Sequence, residues 1–111
     1  MGDRAQVLIK DEGVYLYTHW GASELEEVVR RALERGRSRW NDPEYLARII
    51  FCEMVKGQEM ELTGYGIGTK QYCDAWRIIE IDCENQKVTK IDFGKVQFKK
   101  SFEEFIKKGD G

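Results

Sequence analysis

The stretch DPEYLARIIFCEMVKG, residues 42–57, constrains the fold more than any other part of this chain. It is punctuated as a helix, with Asp42 at the N-cap, Pro43 at the first helical position and Gly57 after the last apolar turn. At about 100° per residue, Tyr45, Leu46, Ala47, Ile49, Ile50, Phe51, Cys52, Met54 and Val55 spread around the whole circumference. A helix apolar on every side is expected to be buried on every side, so this segment is expected to be the central element. Arg48 and Glu53 interrupt it on different faces, and a charge buried there needs a partner. The simplest expectation is an internal ion pair tying the helix to a sheet.

The flanking sequence supplies that sheet. AQVLIK and VYLYTH are short β-rich runs separated by DEG, where Gly13 suits a positive φ, and they read as a hairpin. On the second run Val14, Leu16 and Thr18 share one face, while Tyr15, Tyr17 and His19 share the other. Ser23 and Glu26 have the spacing of a capping box. Leu25, Val28, Val29, Ala32 and Leu33 then form an apolar stripe that ends at Gly36, with Glu26–Arg30 and Glu27–Arg31 paired on the outer face. After residue 57, QEMELTGYGIGTK reads as a polar, glycine-rich loop with room for a short strand. AWRIIEID and KVTKIDF form a hairpin through CENQ, and KVQF is one more strand. Ser101 and Glu104 cap a short last helix closed by Gly109.

The order β-β-α-α-β-β-β-α predicts one α+β domain over residues 1–111, with a mainly antiparallel sheet covered by helices. A chain of 111 residues has material for one hydrophobic core. Eighteen basic against 20 acidic residues give a net charge of −2, which provides no global attraction for nucleic acid or an anionic membrane. No apolar run is long enough to span a bilayer. Cys52, Cys73 and Cys83 show no C-x-x-C spacing and read as small buried hydrophobes with reduced thiols, which implies a cytoplasmic setting. With one histidine and three scattered cysteines, no metal site and no cofactor is expected.

The motifs YLYTHWGASEL, RGRSRWNDPEYLARIIFCEM and LTGYGIG, within residues 15–68, resemble a family of small proteins of uncharacterised activity from phages, bacteria and archaea. The resemblance implies a self-contained small protein. It implies no catalytic or binding role for any residue.

Candidate sites come from the residues themselves. His19 is the one side chain of a type that titrates near neutral pH unaided, and it stands between a strand and a helix start. As a catalytic residue it would need a partner such as Glu53, giving a hydrolase or nuclease. Ser23 is better used as a cap, and Glu24, Glu26 and Glu27 would repel a phosphate from the helix N-terminus. TGYGIGTK is no phosphate loop, because Gly68 is followed by Thr69 and Lys70 in the wrong order. Its alternate glycines suit a tight bend or a close backbone approach, with Tyr65 exposed as a stacking ring. Arg35, Arg37 and Arg39 beside Trp40 combine phosphate-binding and base-stacking groups, so this loop is the candidate nucleic-acid surface.

The expectation that follows is a small binding or regulatory module, with Tyr17, His19, Trp20, Arg48 and Tyr65 as ligand-binding residues. Its partner would be a protein or a small anionic ligand, and exposed strand edges make a homodimer the default assembly.

Overall fold

The computed structural model describes residues 3–107. The strands are β1 (Ala5–Ile9), β2 (Val14–Thr18), β3 (Tyr65–Gly68), β4 (Arg77–Asp82), β5 (Lys87–Asp92) and β6 (Lys95–Ser101). The helices are α1 (Leu25–Arg35), α2 (Pro43–Met54) and α3 (Phe102–Ile106). The strands form one sheet in the order β3-β2-β1-β4-β5-β6. β1 and β4 run parallel, and every other neighbouring pair is antiparallel. The fold is the expected α+β domain.

All three helices lie on one face of the sheet. Ala5, Val7 and Ile9 of β1, Leu16 of β2, Ile79 and Ile81 of β4 and Val88 of β5 point into them. Leu25, Val29 and Leu33 of α1, Leu46 and Ile50 of α2, and Phe102 and Phe105 of α3 complete the core. The alternation along each strand sends Gln6, Tyr15, Tyr17, Ile78 and Ile91 to the other face, which carries no helix among the described residues.

Four expectations need correction. The central helix is α1, which packs against both α2 and α3. The 42–56 helix lies at the margin: it buries Leu46, Ile50, Glu53 and Met54 but leaves Tyr45 and Cys52 exposed. Its apolar circumference overstates its burial because Tyr45 is covered by the Arg39 guanidinium, 4.8 Å from the ring centre, and not by another element. Asp42 does cap it, accepting from the Tyr45 amide at 3.3 Å, with Pro43 at the first position.

Ser23 and Glu26 do not form a capping box. Asp3 performs that role from outside, accepting from the Ser23 amide at 2.8 Å and from its hydroxyl at 2.7 Å. Glu26 reaches across to Lys90 at 2.9 Å, tying α1 to β5. The Ser101–Glu104 box at α3 does form; Gly109 lies outside the described residues.

The glycine segment is a strand, giving four strands after α2 where three were expected. Its backbone pairs with β2 in continuous register from Tyr15 opposite Gly68 to Thr18 opposite Tyr65. Among the cysteines Cys83 is buried, but Cys52 and Cys73 are exposed.

The strand order makes one connection long. β3 is at one edge beside β2, whereas β4 lies beyond β1, so residues 69–76 must cross the helix-free face over β2 and β1. Gln6 anchors this strap with both ends of its amide, donating to the Lys70 carbonyl at 2.9 Å and accepting from the Tyr72 amide at 3.0 Å. A glutamine at the centre of an apolar strand is thereby buried with its hydrogen bonds satisfied.

Candidate functional site

The strap and the edge of the sheet enclose an open-sided cavity of about 410 Å³ on the helix-free face. That volume lies within the usual range for small-molecule sites. Tyr15 and Tyr17 of β2 form one wall, the strap with Lys70 and Tyr72 forms another, and Gly66 and Gly68 of β3 form the floor. The aromatic wall is braced: Tyr17 and Tyr72 meet edge to face with ring centres 5.5 Å apart.

The floor is bare for no structural reason. A β-carbon built on Gly66 or Gly68 would meet no atom within 4 Å, and neither residue adopts a positive φ. Glycine weakens a strand and is normally retained where a turn or a close approach requires it. Here the missing side chains create only volume in front of Tyr15 and Tyr17. Gly64 is different. It has φ +102, and an added β-carbon would lie 2.0 Å from Trp20 Cζ3. The close backbone approach expected for this segment is therefore made at Gly64, against Trp20.

The polar groups around the cavity are unequal. Arg4 is ion-paired with Asp74 on the strap, and its Nε–H donates to His19 Nδ1 at 3.1 Å. Among the described residues no carboxylate lies within 4 Å of Lys70 Nζ, which leaves Lys70 as the uncompensated cation at the rim. Among the described residues the Tyr15 and Tyr17 hydroxyls have only long partners, Gln71 Oε1 at 3.4 Å and His19 Nδ1 at 3.3 Å. Such contacts are weak enough to exchange for a ligand's oxygen.

The structure divides the residues expected at the site. Tyr17 lines the cavity, and His19 supports it from behind through Tyr17 and Arg4. Trp20 bridges outward, edge to face with His19 at 5.2 Å and with Tyr65 at 6.3 Å. Tyr65 points to the opposite face, into a small cleft of about 70 Å³ with Thr18, Gly21 and Met54. Arg48 stands exposed on α2, which also lies on that opposite face.

The catalytic pairing of His19 with Glu53 does not form. Glu53 sits under the other side of the sheet, held by Arg31 at 3.1 Å and Arg35 at 3.3 Å. It ties α2 to α1, where a helix-to-sheet pair was expected. Burial disfavours its charge, but the hydrogen bond from Arg31 and the nearby Arg35 and Lys56 outweigh that and hold its carboxyl below the ordinary value. His19 Nδ1 is engaged within the protein, accepting a hydrogen bond from the Arg4 Nε–H at 3.1 Å.

The arginine loop is likewise committed. Trp40 is a core residue, 7 % exposed, donating to the Leu33 carbonyl at 2.9 Å and packing on Phe102. Arg35 pairs with Glu53, Arg37 with Glu103 at 2.8 Å, and Arg39 covers Tyr45. No ring in this loop is free for a base to stack on.

Arg4, Gln6, Lys70, Tyr72 and Asp74 were not singled out from sequence. All five come from the N-terminal run and the strap, and the strap lies over β2 only because β4 pairs with β1 on its far side. Gln6 alone had a local signal, as a polar residue within an apolar run. Among the described residues no group of histidine, cysteine and carboxylate side chains is placed to hold a metal ion. Comparison of the chain with family models, curated proteins and solved structures found no match.

Proposed function

We propose that the protein is a small-molecule binding module whose site is the glycine-floored cavity between β2, β3 and the 69–76 strap. The ligand class is a planar ring bearing one anionic group. The observation that carries this reading is the pair Gly66 and Gly68, which leave a ring-sized space in front of two tyrosines without any demand from backbone or packing. The tyrosine rings suit a flat aromatic ring. Lys70, with Arg4 behind it, suits a carboxylate or phosphate at the rim. This reading takes the small anionic ligand as the partner and binding, not catalysis, as the activity. It sets the protein in the cytoplasm, a setting supported by the exposed, unpaired thiols of Cys52 and Cys73. No helix among the described residues is long and apolar enough to cross a membrane.

The test is an amide chemical-shift titration with p-hydroxybenzoate, indole-3-carboxylate and the mononucleotides, each taken to about 1 mM, where even a weak site of Kd near that value is half filled. The expected result is that at least one compound shifts the amides of Tyr15, Tyr17, Gly66, Gly68 and Lys70 together. Shifts centred on the Arg35–Trp40 loop, or none anywhere, would contradict the proposal.

A further inference from the structure

The two edges of the sheet are protected very differently. β6 carries Lys95, Lys99 and Lys100, and its pairing with β5 is broken by a register shift at Lys90–Ile91. Lysines and bulges are the usual means of keeping an edge from pairing with another chain. β3, at the other edge, is Tyr-Gly-Ile-Gly with no charge. Ile67 is 64 % exposed, and the segment before β3 displays Met60 and Leu62 at 89 % and 98 %.

The free hydrogen-bonding groups of β3 follow from its pairing with β2. The His19 amide donates to the Gly64 carbonyl at 2.8 Å, which makes residues 19 and 64 a hydrogen-bonded pair. In antiparallel pairing such pairs alternate, so Gly64, Gly66 and Gly68 turn their polar groups toward β2. Tyr65 and Ile67 therefore turn theirs outward, one N–H and one carbonyl each.

We propose that the protein dimerises with a second copy of itself through β3, antiparallel and edge to edge, about a two-fold axis at Gly66. In that register Tyr65 of each copy faces Ile67 of the other, and the outward donors and acceptors of both residues are satisfied reciprocally. The same register makes two cross-strand pairs of an aromatic with a β-branched side chain on the helix side of the sheet, a favourable combination that covers the exposed Ile67. The antiparallel sense follows from this reciprocity: two residues directly opposite one another exchange both of their hydrogen bonds only in antiparallel pairing.

The dimer changes the cavity as well. Gly66 and Gly68 of the two copies become one continuous glycine floor, with the tyrosines of one copy on one side and those of the second copy on the other. The cavity that is open at the β3 edge in a single chain becomes half of a shared cleft. This inference does not depend on ligand binding, because the edge pairs whether or not the cavity is filled.

The experiment is sedimentation velocity on the full chain at about 100 μM, above the micromolar Kd within reach of an interface of modest size. It compares the wild type with Ile67→Lys and Val96→Lys, and hydrogen exchange is measured on the same samples. The wild type is expected to sediment at twice the chain mass with the Tyr65 and Ile67 amides protected. Ile67→Lys is expected to be a folded monomer by circular dichroism with the Tyr65 amide exposed, and Val96→Lys, on the opposite edge, to remain a dimer. A wild-type monomer would leave the edge to a foreign strand and overturn the proposal. So would a dimer that survives Ile67→Lys, or one that Val96→Lys dissociates. A monomeric Ile67→Lys that still binds an aromatic anion separates the two proposals, since dimerisation then fails alone.

Discussion

Trp20 lies against the bare backbone of Gly64, so close that a β-carbon on that glycine would come within 2.0 Å of Trp20 Cζ3. The contact fixes where the chain enters β3, because the Gly64 carbonyl simultaneously accepts the His19 amide. It also holds Trp20 against His19, whose other neighbours are the Arg4 and Tyr17 side chains of the cavity.

Gly64→Ala should therefore destabilise the protein through both a strained φ of +102 and displacement of the indole. The expected loss is about 2 kcal/mol or more, read as a lower midpoint in urea denaturation. An unchanged midpoint would show that Trp20 does not rest on this glycine.

Trp40→Ala should cost about 3–5 kcal/mol, the usual range for removing a large buried aromatic. Trp40 is enclosed by Phe102 and bonded to the Leu33 carbonyl, so its role is structural. Arg39→Ala, by contrast, should leave stability nearly unchanged. Electrophoretic mobility shifts with single-stranded DNA or RNA at low salt are expected to be absent for the wild type; a salt-sensitive shift lost in Arg39→Ala would restore the nucleic-acid reading.

These two tryptophans show how legibility varied along the chain. The alternation in VYLYTH placed Tyr15 and Tyr17 together on one face, because side-chain direction in a strand follows from period alone. The Asp42–Pro43 start and the Ser101–Glu104 box were readable for the same reason: each is a local hydrogen-bonding pattern. What failed needed the third dimension. Trp40 beside three arginines looked like a surface site until Leu33 and Phe102 closed over it. Ser23 looked like a cap, but Asp3, twenty residues away, supplied the carboxylate. The cavity itself depends on strand order, which no spacing within the chain reveals.

Thiol reactivity should separate the cysteines. Burial, reinforced by the nearby Asp11 carboxylate, pushes the Cys83 thiol up to about 12, so it stays protonated at neutral pH. Cys52 and Cys73 are exposed. Titration of the native protein with Ellman's reagent should modify two thiols quickly and the third only on unfolding, with Cys83 identified as the protected residue by mass spectrometry.

Acid should destabilise the fold through its paired carboxylates. Burial disfavours the charged forms of Glu53 and Glu26, but Arg31 at the first and Lys90 at the second more than compensate, so both carboxyls sit below the ordinary 4.5. A carboxyl whose value is lowered by folding contributes stability that is present above its unfolded value and lost as pH falls through the folded one. Stability should hold from neutral pH to about pH 5 and decline below about pH 4.5. Glu53→Gln should be less stable at pH 7 by about 1–2 kcal/mol and decline less steeply in acid, so that the two denaturation profiles approach each other near pH 3. Parallel profiles would remove Glu53 from the account.

The central claim is that Gly66 and Gly68 are glycine in order to leave room for a ligand, and filling that room tests it most directly. Gly66→Val and Gly68→Val place a side chain where an added β-carbon meets nothing within 4 Å. Valine also suits a strand better than glycine, so both variants should fold with stability equal to the wild type or higher by about 0.5–1 kcal/mol. Calorimetric titration with the aromatic anion that shifts the wild-type amides should then show binding abolished in both variants. Wild-type affinity in a folded valine variant would contradict the claim.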